Sequence, residues 1–138
     1  MRTHLTFEDV TGLLDRRLLG TLATYDRNGL VLLSPVWFEW WDGGFHVAIP
    51  TNDVKARHLR RNPRASMVVA ELESPMRGIE IRGEARLSPT REDVNRRLAA
   101  RYVDADQIDD FLAAIGEGTL VRLEPGELRA WDFADDGY

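Results

Sequence analysis

Apolar and charged residues alternate along Ile79-Glu-Ile-Arg-Gly-Glu-Ala-Arg-Leu87, with apolar or small residues at the odd positions and charged residues at the even ones. Period-two alternation marks a strand with one buried face and one wet face. Shorter runs rich in strand formers predict further strands over 21–25, 45–49, 66–72, 119–123 and 128–133, the last two joined at Pro125-Gly126. Leu30 to Trp41 reads as a long strand interrupted by Pro35, which implies an edge or a bulge there. Asp26-Arg-Asn-Gly29 and Asp42-Gly43-Gly44 are turn signals. The period changes to a helical one over Phe7, Val10, Leu13, Leu14 and Leu18, with Thr6 as N-cap, Asp9 at the capping-box position and Gly20 as the stop. Asp53 to Arg61 predicts a short basic helix. Thr90, with Asp93 three residues on, opens a longer helix whose inner face is Val94, Leu98 and Tyr102. An amphipathic piece follows through Ile108, Phe111, Leu112 and Ile115 to Gly116. Many short strands with few helices predict a mainly β barrel or sandwich. With no repeat, linker or low-complexity tract, residues 1–138 read as one domain.

Composition narrows the partners. The chain is 43% hydrophobic and 30% charged, an ordinary globular balance. Its net charge of −5 disfavours a surface built for nucleic acid or anionic lipid. No apolar run is long enough to cross a bilayer, and the first residues lack the apolar core of a signal peptide, so a cytoplasmic location is the default expectation. The absence of cysteine excludes disulfides, thiol catalysis and thiolate metal sites. His4, His46 and His58 show no metal-ligand spacing, so no metal site is expected. Ser34 lacks a nucleophile-elbow context, and no glycine-rich nucleotide loop occurs.

Against that acidic background one segment stands out. Lys55, Arg57, His58, Arg60, Arg61 and Arg64 place six basic or titratable side chains within ten residues, and Lys55 is the only lysine in the chain. Thr51, Asn52 and Asp53 are candidate caps for a helix starting near Val54, and a helix N-terminus with a lysine in its first turn suits an anion. Spacing alone leaves a solvated basic helix equally open, with nucleic-acid binding a third reading. A second candidate is Ser34-Pro35-Val36-Trp37-Phe38, where the proline frees backbone groups that a flat ring could bond; aromatic packing on an edge strand is the simpler reading. Trp37, Phe38, Trp40 and Trp41 cannot all face one side, so one aromatic face is left for a ligand pocket or a dimer interface.

In order and spacing, Leu19-Gly-Thr-Leu-Ala-Thr24, Asn28-Gly29, Ser34-Pro-Val-Trp-Phe38, Lys55-Ala-Arg-His-Leu-Arg-Arg-Asn-Pro-Arg-Ala-Ser66, Glu80-Ile-Arg-Gly-Glu-Ala85 and Ala130-Trp-Asp132 resemble the flavin- and deazaflavin-dependent split β-barrel oxidoreductases, the pyridoxamine-phosphate-oxidase-like superfamily. The resemblance implies a split β-barrel with flanking helices, assembled as a homodimer with cofactor at the interface. It implies that Lys55, with Thr51 and Asn52 or Arg57, holds the cofactor phosphate, and that Pro35, Val36 and Trp37 border the ring. Partner residues around Arg77 would complete the site, and the Glu73–Gly78 loop and the C-terminal tail would shape it. Trp131 matches a position near the closing strand, with packing and ligand contact both open. The basic run looks most like the actinobacterial branch that uses the deazaflavin coenzyme F(420), which implies hydride transfer to an unsaturated small molecule. The Arg-Leu-Ala-Pro element of vitamin B6 oxidation is absent from the sequence. An FMN-dependent oxidoreductase and a non-catalytic flavin or haem binder are the alternatives. No catalytic side chain is implied.

Overall fold

The structure, a computed structural model, describes residues 5–133, and His4 and the tail at 134–138 lie outside them. Eight strands form one antiparallel sheet: β1 (Gly20–Tyr25), β2 (Val31–Val36), β3 (Glu39–Trp41), β4 (Gly44–Pro50), β5 (Arg64–Ala70), β6 (Gly78–Pro89), β7 (Gly118–Leu123) and β8 (Glu127–Trp131). Their order is β2-β1-β5-β6-β7-β4-β3, with β8 also paired to β6. The sheet curls into a half-barrel around Leu22, Phe38, Phe45, Met67, Ile79, Ile81 and Leu123.

The alternating segment read first in the sequence is the strand that organises this curl. The first half of β6 pairs with β5 on one edge and β8 on the other, and its second half passes to β7. Although Pro125-Gly126 joins β7 and β8, the two do not pair with each other; they run one after the other along β6. The link between them crosses directly over Gly83, where a Cβ would lie 2.3 Å from the Glu124 carbonyl oxygen. Only glycine admits that approach, and a bend of this kind lets one strand serve two parts of a curved sheet.

Helices depart from their sequence expectation where tertiary bonds compete. Thr6 and Asp9 do form the expected cap, with the Thr6 amide donating to Asp9 Oδ2 at 2.7 Å. The helix itself is only a 3-10 turn over Glu8–Val10 followed by α1 (Thr11–Leu14). Beyond it, Arg101 donates to the Leu14 and Arg16 carbonyls, and Arg16 reaches across to Glu71. Gly20 therefore opens β1 rather than closing a helix. The expected strand over 30–41 is likewise two. Pro35 lies within β2, which is an edge strand as its proline implies, and the break falls at Trp37-Phe38. There the Tyr102 hydroxyl accepts the Phe38 N–H at 3.1 Å and donates to the Leu18 carbonyl at 2.7 Å. Tyr102→Phe strands these backbone groups and is expected to cost about 1–3 kcal/mol in urea unfolding.

The basic helix α2 (Val54–Arg61) connects β4 to β5, and α3 (Glu92–Tyr102) and α4 (Ile108–Ile115) form a hairpin against the second half of the sheet. Arg91, not Thr90, occupies the N-cap of α3, because the Thr90 N–H is still bonded to the Gly118 carbonyl at 3.0 Å. Val94, Leu98 and Tyr102 form its buried face as expected. Gly116 ends α4 with φ of 63°, a conformation that favours glycine.

Candidate functional site

After β4 the chain turns through Thr51-Asn52, and Asp53 caps α2 by accepting the Lys55 N–H at 2.9 Å. Ala56 and Leu59 anchor the helix in the core. Lys55 Nζ also lies 2.9 Å from Asp53 Oδ1, with its side chain 15% exposed. Burial pushes the Asp53 carboxyl up, but its bonds from the Lys55 ammonium and amide outweigh this and hold it below the usual carboxylate range. An ammonium has three donors, so Lys55 can keep Asp53 and still present an N–H to an anion. The first-turn amides of Val54 and Ala56 have no intrahelical acceptor.

Most of the rest of the basic segment is engaged. Arg60 donates to the Thr51 carbonyl at 2.9 Å and Arg61 to the Tyr25 carbonyl at 2.8 Å. Arg64 lies 5.2 Å over the Tyr25 ring, and His58 is buried with Nδ1 2.9 Å from Thr24 Oγ1. Arg57 is exposed, and its side chain has no hydrogen bond among the described residues. Of six candidate cations, Lys55 and Arg57 remain able to hold a ligand anion. Arg61 and His58 tie α2 to β1 through the Tyr25 carbonyl and the Thr24 hydroxyl, Arg60 ties back to the turn before the helix, and Arg64, on β5, covers the Tyr25 ring, uses that charge counting does not reveal.

The remaining expected residues divide into groups. Thr51 lines an open cleft with Ser88, Thr90 and Glu117, whereas Asn52 is exposed in the turn. Pro35 is exposed on β2; Val36 is buried and offers only its backbone. Among the described residues no strand covers the outer edge of β2, so that backbone is open to a ligand. Trp37 has left the strand to stack on Tyr102 at 4.9 Å and 5°, beside a cavity of about 220 Å³. The cavity and the Thr51 cleft share Thr90, Glu117 and Gly118, so one surface runs from Trp37 to Thr51. Phe38 and Trp40 pack edge-on against Phe45, and Trp41 stacks on His46. The Glu73–Gly78 loop lines neither the cavity nor the cleft. Trp131 packs against Gly78, where a Cβ would meet its ring at 2.2 Å, and lies beneath Arg129.

Arg77 follows the far end of β5 from α2 and so is not gathered with Lys55 within one chain. Its guanidinium and amide hold Glu71, at 2.6 and 2.8 Å, and Arg16 binds the same carboxylate at 2.6 Å. These bonds, those from the Arg77 side chain foremost, lower the Glu71 pKa to about 2 although the side chain is buried. Because the folded value lies below the ordinary 4.5, the stabilisation is complete above pH 4.5 and disappears as pH falls towards 2. Glu71→Gln is expected to cost about 2–3 kcal/mol at pH 7 and to flatten the loss of stability between those values, read from urea melts across pH.

Two residues escaped sequence reasoning. Tyr102 was legible as core, but not as the bond donor and acceptor that splits β2 from β3. Asn95 shares a helical stripe with Leu98, Ala99 and Tyr102, and an amide on that stripe was the available signal. Its Oδ1 is buried with no hydrogen-bond partner among the described residues. No group of three metal-ligating side chains and no helix long and apolar enough to cross a membrane occur among the described residues.

Comparison with known proteins places this geometry. No curated protein matches the chain. Among solved structures, a conserved hypothetical protein from Mycobacterium tuberculosis is similar with a TM-score of 0.80 and 22% identity, over 97% of this chain and 89% of that one. An F(420) reductase is similar with a TM-score of 0.67 and 25% identity, over 85% and 93%. HutZ, the haem storage protein from Vibrio cholerae, aligns with a TM-score of 0.69 and 23% identity, over 88% and 91%. The family model described as pyridoxamine 5'-phosphate oxidase matches residues 7–132, so this split β-barrel chain belongs to the pyridoxamine 5'-phosphate oxidase family.

Proposed function

We propose that this protein is a cofactor-dependent oxidoreductase, a reductase that passes hydride from reduced coenzyme F(420) to an unsaturated small molecule. The observation that carries the reading is Lys55, a part-buried ammonium fixed by Asp53 in the first turn of a helix whose other cations are mostly engaged. Family membership and the likeness to an F(420) reductase support a flavin-type cofactor. Lys55 and the α2 amides, with Thr51, Asn52 or Arg57 alongside, hold the phosphate, and the open edge of β2 at Pro35–Val36 with Trp37 borders the ring. The cofactor supplies hydride chemistry, while the protein orients it and excludes water. Solvent delivers the proton.

The unit is a homodimer with cofactor at the interface, where the partner copy contributes residues around Arg77. Leu30, Val31 and Leu33 support this: they are 66%, 52% and 62% exposed, at or beside the start of an uncovered edge strand. An unshielded apolar edge favours a second chain. Leu33→Glu is expected to shift sedimentation from dimer to monomer.

Titrating the protein with FMN, F(420) and haem while following absorbance tests the cofactor. The expected order places F(420) tightest. Tight FMN binding with none for the deazaflavin would assign the FMN alternative. Haem binding without turnover of any conjugated acceptor would assign a binding protein, the reading to which the haem storage likeness lends the fold alone.

A further inference from the structure

The cavity beside Trp37 shares that one residue with the proposed cofactor edge, but its walls from α3 and α4 are not used by cofactor binding at Lys55. It lies between β4 and the α3–α4 hairpin, with a volume of about 220 Å³, and Trp37, Ile49, Leu98, Phe111 and Ile115 make it apolar. The helix above it is poorly seated: no residue of α4 is fully buried, and Ile115 remains 37% exposed. Apolar side chains half-buried over an unfilled space have part of their packing surface without partners. Two aromatic rings, Trp37 and Phe111, stand 5.2 Å apart at its wall. Away from the polar opening at Thr90 and Glu117, Asn95 also lines the cavity, and its buried Oδ1 is unpartnered among the described residues. A buried unsatisfied acceptor destabilises the chain that carries it unless a donor arrives.

We infer that this cavity is a binding site for a monocyclic aromatic molecule bearing one O–H or N–H donor. Apolar cavities of about 150 Å³ admit benzene, so this one has room for a ring with a single substituent. The ring packs among Trp37, Phe111 and Leu98, and the donor bonds Asn95 Oδ1. The opening at Thr90, Glu117 and Gly118 leads towards the Thr51 cleft and provides an entry. The inference stands on these residues whether or not F(420) binds at Lys55.

Calorimetric titration of the cofactor-free protein with phenol and with benzene tests it. Saturable binding of one phenol per chain is expected, about fivefold or more tighter than benzene, as one net hydrogen bond confers. Asn95→Leu is expected to remove the preference for phenol while keeping benzene, and Ala48→Leu, which fills the cavity from β4, to weaken both. Circular dichroism and urea melts identify variants that stay folded, and Lys55→Ala should leave both affinities unchanged. Absence of saturable phenol binding to the parent protein would overturn the site. So would phenol binding that neither folded cavity variant alters, since the probe would then sit elsewhere.

Discussion

Lys55→Ala is expected to weaken F(420) binding by about 10- to 100-fold, the loss of one charge-assisted hydrogen bond. The expectation rests on placement. Lys55 is held in the first α2 turn by Asp53, so little side-chain entropy is lost when its ammonium meets a phosphate. It also acts together with the helix N-terminus, whose amides and dipole favour negative charge. Arg61 provides the contrast. Its guanidinium is tied to the Tyr25 carbonyl, so Arg61→Ala should cost stability and leave affinity within about twofold. Asp53→Asn retains a capping side chain and removes a carboxylate beside the anion, and affinity should rise. Fluorescence titration of the three variants checks the pattern. Equal losses for Lys55 and Arg61 would reduce the site to diffuse positive charge.

Gly83→Ala is expected to destabilise the fold by about 3 kcal/mol or more, at the upper end for overpacking. The added methyl group would meet backbone, the Glu124 carbonyl oxygen at 2.3 Å, with the Gly126 nitrogen at 3.2 Å behind it. Backbone cannot rotate away as a side chain can. Relief would require β7 and β8 to separate from β6 at the bend, which loosens both halves of the sheet. Gly12→Ala is the control. Its nearest neighbour, Arg77 Nη1, would lie at an ordinary 3.8 Å, and alanine favours helix, so no loss is expected. Urea melts of both variants give the comparison.

The legibility of the sequence follows from the range of the forces involved. The alternation of β6 and the start of α2 depend on neighbours a few residues away, and both were readable, although the sequence left Thr51, Asn52 and Asp53 open as the cap that Asp53 provides. The capping pair Thr6–Asp9 was readable too, yet the helix it opens is short because Arg16 and Arg101 take part in contacts with segments over fifty residues distant. The same long range hid the collinear run of β7 and β8, since Pro125-Gly126 looks locally like any turn. At the site, the sequence located the basic segment but overcounted its free cations. Arg60 and Arg61 bind backbone carbonyls, and the Tyr25 carbonyl comes near Arg61 only in the assembled sheet. Asn95 went unread for a related reason: the amide on a helical stripe was in view, but it gains meaning only when the opposite wall leaves a space before it.

The central claim is that Lys55 holds the phosphate of a flavin-type cofactor. A crystal structure of the protein with F(420) bound tests it most directly. The account predicts a phosphate oxygen about 2.7–3.2 Å from Lys55 Nζ at the start of α2, with the ring along Pro35–Trp37 at a dimer interface. A phosphate seated away from α2, with Lys55 bonded to Asp53 alone, would contradict it.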